Sequence, residues 1–176
     1  MLTKPEKRIH AYFLEHDAFF KTKVDSLFKW IPYAATFTAH LFGARTRSGW
    51  LRQILIAGAA EGMRYLLTDS IKNISTERRP LPYVDHRSFP SGHASSSFAG
   101  ACFMCTELSE SMPVLSVAGY ACAVTTAVLR LMKSRHWLKD VVAGAIIGVA
   151  SVKLAFAAAD KIWARKREEV DCSEQE

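Results

Sequence analysis

The chain has 176 residues, with 23 Lys and Arg against 17 Asp and Glu, for a formal net charge of +6. That length suits one domain over residues 1–176, since neither a linker nor an internal repeat is visible. The positive balance does not indicate nucleic acid, because no basic stripe interleaved with aromatics occurs; anionic headgroups and phosphate substrates account for its sign better.

Hydrophobic residues make up 49% of the chain, but they are unevenly placed. Residues 4–20 set Ile9, Tyr12, Phe13, Phe19 and Phe20 against Lys7, Arg8, Glu15 and Asp17, the pattern of an amphipathic helix lying in a membrane interface. This interfacial segment is placed at residues 1–26. It lacks the apolar h-region of a signal peptide, so insertion is expected to rely on internal spans. Leu27 to Gly43 is the weakest span candidate, interrupted by Lys29, Pro32 and His40, with Phe28, Trp30 and Tyr33 suited to a headgroup belt.

Trp50 to Asp69 predicts the next helix, which carries Arg52, Glu61 and Arg64. Glu61 and Arg64 share one helical face and can pair; charges at membrane depth face a bundle interior, for function or as a structural ion pair. Residues 70–91 read as a polar loop holding Pro80, Pro82 and Pro90. A helix is expected from Ser91 or Gly92 to about Leu108, and Pro113 suits the first turn of the following one, which ends near Met132. Residues 133–136 lead into the last helix, and the charged tail over 161–176 is expected to fray.

Between Pro113 and Met132 the only charge is Arg130, and between Val141 and Ala159 it is Lys153. A bilayer core needs about 20 apolar residues as a helix. The expected fold class is therefore all-α: an integral-membrane helical bundle of about five spanning helices plus the N-terminal interfacial helix. Cys102 and Cys105 match C-x-x-C inside an apolar helical run, and no second ligand pair follows, so they read as packing residues and no metal site is expected.

Three polar stretches stand apart from this apolar background: Lys72 with Arg78, Arg79 and Pro80; Pro90-Ser91-Gly92-His93; and Arg130 with His136 and Asp140. Ser91 and Gly92 lie where a loop turns into a helix, whose unpaired N–H groups favour anions. Gly92 lets a backbone amide approach an oxyanion closely, and His93 in the first turn can donate a proton to a leaving oxygen. Asp140, one helical turn after His136, can bond one ring nitrogen and leave the other as an in-line nucleophile. Gly144 and Gly148 continue that row, which points it into the bundle. Lys72 and an arginine of the 78–79 pair add charge for the equatorial oxygens of a phosphoryl transition state. Spacing alone does not say which arginine turns inward.

K-x6-R-P, P-S-G-H and R-x5-H-x3-D, in this order, resemble the type 2 phosphatidic acid phosphatase (PAP2) superfamily over roughly residues 50–160. The resemblance implies that Lys72, Arg79, Arg130, Ser91 and Gly92 bind phosphate. It further implies that His136 is the nucleophile forming a phosphohistidine, that Asp140 orients it, and that His93 protonates the leaving group. No metal or cofactor is required in that scheme. It selects Arg79, the residue followed by Pro80, over Arg78. Leu129 stands where the family usually has Ser before the third-motif Arg, which removes one hydrogen bond near the site.

The apolar runs favour the membrane lipid phosphatase branch, with a lipid phosphate as substrate and the bilayer as partner. Undecaprenyl diphosphate, phosphatidic acid, phosphatidylglycerol phosphate and lipid A share the group these motifs grip. Asp85, His86 and Arg87 are either headgroup contacts or solvated loop residues. Arg45, Arg47, Arg52, Lys161, Arg165, Lys166 and Arg167 lie on the face opposite the motifs, and Lys21, Lys23 and Lys29 on the same face. The positive-inside rule with the family's usual arrangement predicts a bacterial inner membrane and a site facing the periplasm or exterior. Two alternatives are a soluble acid phosphatase or vanadate-dependent peroxidase on the same scaffold, and a catalytically silent protein that binds lipid phosphates.

Overall fold

The computed structural model describes residues 24–80 and 85–173. Among these residues there are six helices and no strand: α1 (Val24–Phe28), α2 (Ile31–Leu41), α3 (Trp50–Ile74), α4 (Gly92–Leu108), α5 (Pro113–Met132) and α6 (Leu138–Ser173). The expected interfacial helix over residues 4–20 lies outside the described residues.

α4 is the axis of the bundle and packs against α2, α3, α5 and α6. Its sequence explains the position: Ala94, Ser95, Ser96, Ser97, Ala99, Gly100 and Ala101 are small, so neighbouring helices approach it on several sides. Phe103 fills the remaining space at one end, with ring centroids 5.3 Å from Tyr33, 6.0 Å from Phe37 and 5.9 Å from Phe156.

The closest approach is between α4 and α6. A Cβ on Gly144 would lie 2.5 Å from the Ser91 carbonyl oxygen, and one on Gly148 would overlap the Ser95 carbonyl. The Gly144–Gly148 row therefore does face the bundle, and only glycine allows the two backbones to touch.

The distribution of polarity is inverted relative to a water-soluble bundle. Thr36, Ser95, Ser97, Thr126 and Ser151 are buried, whereas Leu51, Ile54, Leu66, Val114, Val117, Val128, Ile146 and Leu154 are exposed. Such a surface suits a hydrocarbon surrounding. α5 and the Leu138–Arg167 stretch of α6 are each long and apolar enough to cross a membrane.

Glu61 and Arg64 form the structural ion pair, at 2.5 Å. The carboxylate also accepts from Tyr33 Oη at 3.1 Å and Ser96 Oγ at 3.3 Å, and Arg64 donates to Ser95 Oγ at 3.2 Å. At the opposite end of the bundle Arg47 and Arg52 both pair with Asp160.

Three boundaries differ from expectation. α3 continues past Asp69 to Ile74, so Lys72 sits in its last turn instead of in a loop. The segment expected to span from Leu27 to Gly43 is broken at Lys29 and Trp30, ahead of Pro32. α2 alone has 11 residues, which rise about 16 Å at ~1.5 Å per residue, short of a hydrocarbon core of ~30 Å. The tail does not fray at Lys161: α6 runs unbroken to Ser173, because Lys161–Ser173 holds no Gly or Pro and favours helix.

Gly148→Ala is expected to lower the thermal midpoint in detergent, by about 1–3 kcal/mol of overpacking. Gly62→Ala, where an added Cβ would meet nothing within 4 Å, is expected to be neutral or to stabilise by up to about 1 kcal/mol. Equal melting shifts for the two variants would contradict the close α4–α6 contact.

Candidate active site

Five chain segments deliver the predicted residues to one end of the bundle. Lys72 comes from the last turn of α3 and Arg130 from the last turn of α5. Ser91, Gly92 and His93 open α4. His136 precedes α6 and Asp140 lies in its first turn. Arg79 comes from the loop between α3 and α4.

His136 is 3% exposed. Its Nδ1 lies 2.9 Å from the Ser88 main-chain carbonyl oxygen but 3.6 Å from Asp140 Oδ2. The first distance is a hydrogen bond and the second is not. A carbonyl oxygen only accepts, so Nδ1 carries the proton and Nε2 keeps its lone pair. This contact favours a protonated Nδ1, and the nearest acceptor to it is the Ser88 carbonyl, not Asp140.

Asp140 acts one step further back. Its fully buried Oδ2 accepts from Ser88 Oγ at 2.5 Å and from the Trp137 amide at 2.9 Å. Its main-chain carbonyl accepts the Ser91 amide at 2.9 Å. The carboxylate therefore caps α6 and fixes the loop whose carbonyl orients His136. No local pattern in the sequence marks Ser88 for this part.

Burial holds His136 below the ordinary imidazole value of 6.5, against the opposing Asp140 carboxylate and with the nearby charges of Arg130, Lys72 and Arg79 acting in the same direction. Three cations of the predicted set thus converge on one imidazole. Arg79 turns inward and pairs with Asp85, its Nε 3.2 Å from Oδ2, while Arg78 is exposed and its carbonyl accepts the Trp137 indole N–H at 2.8 Å. Lys72 Nζ donates to the Arg87 carbonyl at 3.0 Å.

The Nε of Arg130 is buried without a hydrogen-bond partner in the protein, whereas the Nε of Arg79 faces the Asp85 carboxylate at 3.2 Å. An orphaned buried donor costs about 1–3 kcal/mol. On the Arg130 guanidinium such a donor marks a place where an anionic oxygen fits.

Ser91 is fully buried, and its Oγ accepts the Ala94 amide at 3.4 Å as the α4 cap. Its hydroxyl proton is what it has left to offer a ligand. At Gly92 a Cβ would meet only Thr68 Cγ2 at 3.9 Å, so packing does not demand glycine there. His93 Nε2 lies 3.1 Å from Ser26 Oγ, and the charged groups facing it are Arg130, Lys29, Asp25 and His136. Of the loop candidates, Asp85 accepts the Arg87 amide and Arg87 pairs with Asp69 at 2.6 Å, while His86 is exposed. Ser26, Asp25, Lys29 and Lys133 at this end of the bundle were not indicated by any motif.

The PAP2 superfamily pattern matches residues 53–164. Over 146 residues, 82% of this chain and 32% of the relative, the sequence is 32% identical to lipid A 1-phosphatase of Porphyromonas gingivalis. Over 76 residues, 36% of this chain and 26% of the relative, it is 37% identical to lipid phosphate phosphatase 2 of Arabidopsis thaliana. The chain thus spans about a third or less of the length of these curated relatives. The crystal structure of Aquifex aeolicus LpxE shares the fold, with a TM-score of 0.59 at 17% identity over 76% of this chain and 84% of that one.

At neutral pH the imidazole 15N shifts of His136 are expected to show a protonated Nδ1 and a bare Nε2. A protonated Nε2 in the folded protein would contradict the Ser88 contact.

Proposed function

The chain belongs to the PAP2 superfamily, and on that premise we propose that it is an integral-membrane phosphohydrolase acting on lipid phosphates or diphosphates through a phosphohistidine. The observation that carries this reading is His136: a neutral imidazole with its Nε2 lone pair free, facing Arg130, Lys72 and Arg79.

Nε2 attacks phosphorus in line with the leaving oxygen, and an N–P bond forms as the P–O bond breaks. Arg79, Arg130, Lys72 and the Gly92 amide hold the equatorial oxygens, whose charge grows toward the transition state. His93 gives its proton to the departing oxygen and so becomes a base. Water then loses a proton to His93 as its oxygen bonds to phosphorus and the N–P bond breaks, releasing inorganic phosphate and restoring the neutral His136 ring and the protonated His93. Charge neutralisation comes from side chains throughout, so no metal enters a step.

Membrane insertion is supported by the apolar exterior and by α5 and α6. α3 and α4 are proposed to cross beside them. The cations around Arg45 and beyond Lys161 favour a cytoplasmic far face, which puts the site on the periplasmic or outer side. The name of the bacterial relative makes lipid A 1-phosphate the first substrate to test.

Purified protein is expected to release phosphate from at least one of lipid A, phosphatidic acid, phosphatidylglycerol phosphate and undecaprenyl diphosphate, with chelator present. His136→Ala is expected to lower that rate by about 10³-fold or more. Full activity in this variant would exclude the phosphohistidine, and recovery of the protein without detergent would favour the soluble alternative.

The nucleophile is the neutral ring, and its folded pKa lies below the ordinary value. Activity is therefore lost as pH falls through that lowered pKa. The acid limb of kcat/KM is expected below 6.5. The same limb with a monoester and a diphosphate substrate would assign it to the enzyme; a limb above 6.5 would refute the assignment.

A further inference from the structure

The pattern match begins at residue 53, yet two residues of α1 reach into the site. Asp25 is 3% exposed. Its Oδ2 accepts from Arg130 Nη1 at 2.6 Å, and its Oδ1 accepts from Lys133 Nζ at 2.6 Å. The next residue, Ser26, places Oγ 3.1 Å from His93 Nε2. Consecutive positions of one short helix therefore touch a phosphate-binding cation and the proton donor.

The guanidinium geometry gives this contact a direction. Arg130 is 9% exposed, with Nη1 taken by Asp25 and Nε unpartnered within the protein. A planar fork held at one corner presents its remaining N–H edge at a set angle. A carboxylate alone would cancel the charge it positions. Lys133 prevents that: the group of Arg130, Asp25 and Lys133 keeps a net positive charge toward an incoming dianion. Removing the carboxylate would take from Arg130 the 2.6 Å contact that fixes its fork.

We propose that Asp25 is a positioning residue for Arg130, with Lys133 as its counter-cation, and that α1 is a working part of the phosphate site. The inference rests on the phosphohydrolase reading above. Ser26 serves the same arrangement by holding the His93 ring until the leaving oxygen takes its place.

The test uses the full chain in detergent with Asp25→Ala, Asp25→Asn and Asp25→Glu. Turnover is measured on phosphatidic acid in mixed micelles, and anion affinity by orthovanadate inhibition and by calorimetry with inorganic phosphate. Asp25→Ala is expected to lower kcat/KM about 10²-fold and to weaken orthovanadate about tenfold, with Asp25→Glu recovering most of both. If Asp25→Ala does not fold, Asp25→Asn is expected to show the same direction with smaller shifts.

Unchanged or raised kcat/KM and anion affinity in a folded variant would overturn the proposal; a raised value would show the carboxylate competing with phosphate. A fall in kcat proportional to the folded fraction, with KM and anion affinity unchanged, would also overturn it, since that marks a structural role. A wild-type protein without turnover would instead count against the phosphohydrolase reading, and inorganic phosphate binding in the variants would still decide the role of Asp25.

Discussion

Asp140 ties the start of α6 to the segment that opens α4: its fully buried carboxylate accepts from Ser88 Oγ and the Trp137 amide, and its main-chain carbonyl accepts the Ser91 amide. An ionised group out of water is tolerated only where donors surround it. Here a hydroxyl and a main-chain amide both serve Oδ2 and the N-terminal end of a helix dipole adds to them, while Oδ1 is buried without a hydrogen-bond partner. Since the Ser88 carbonyl sets the proton of His136, the tautomer of that ring depends on the same joint.

The joint holds because α4 and α6 touch backbone to backbone at Gly144 and Gly148. A bundle in hydrocarbon gains little from burying large apolar side chains, so small residues and polar contacts carry the packing. The buried serines of α4 and the Glu61–Arg64 pair fit that economy, and the large apolar residues are left for the outside. The arrangement also places the polar loops at one end of the bundle.

Electrostatically the site is a cluster of cations kept apart by a few carboxylates. Arg79 is held by Asp85 through Nε and Arg130 by Asp25 through Nη1, which leaves the Nε of Arg130 unpartnered. Side chains fixed in this way need little rearrangement as charge develops on phosphate, the condition under which such contacts act most strongly.

Much of this was legible in the sequence because its signals are local. The helix from Gly92 to Leu108, the start at Pro113 and the inward glycine row follow from caps, prolines and periodicity. Lys72, the 78–79 arginine pair, His93, Arg130, His136 and Asp140 were marked by residue type and spacing, and the family resemblance selected Arg79 from that pair. Main-chain and cross-bundle contacts carry no such marks. The Ser88 carbonyl has the same chemistry as any other, so only tertiary placement made it the partner of His136. Asp25 meets Arg130 across 105 positions of sequence. Local order determined which groups this protein has for phosphate. Packing decided how they are held, because hydrogen bonds select partners by distance in space, not by distance along the chain.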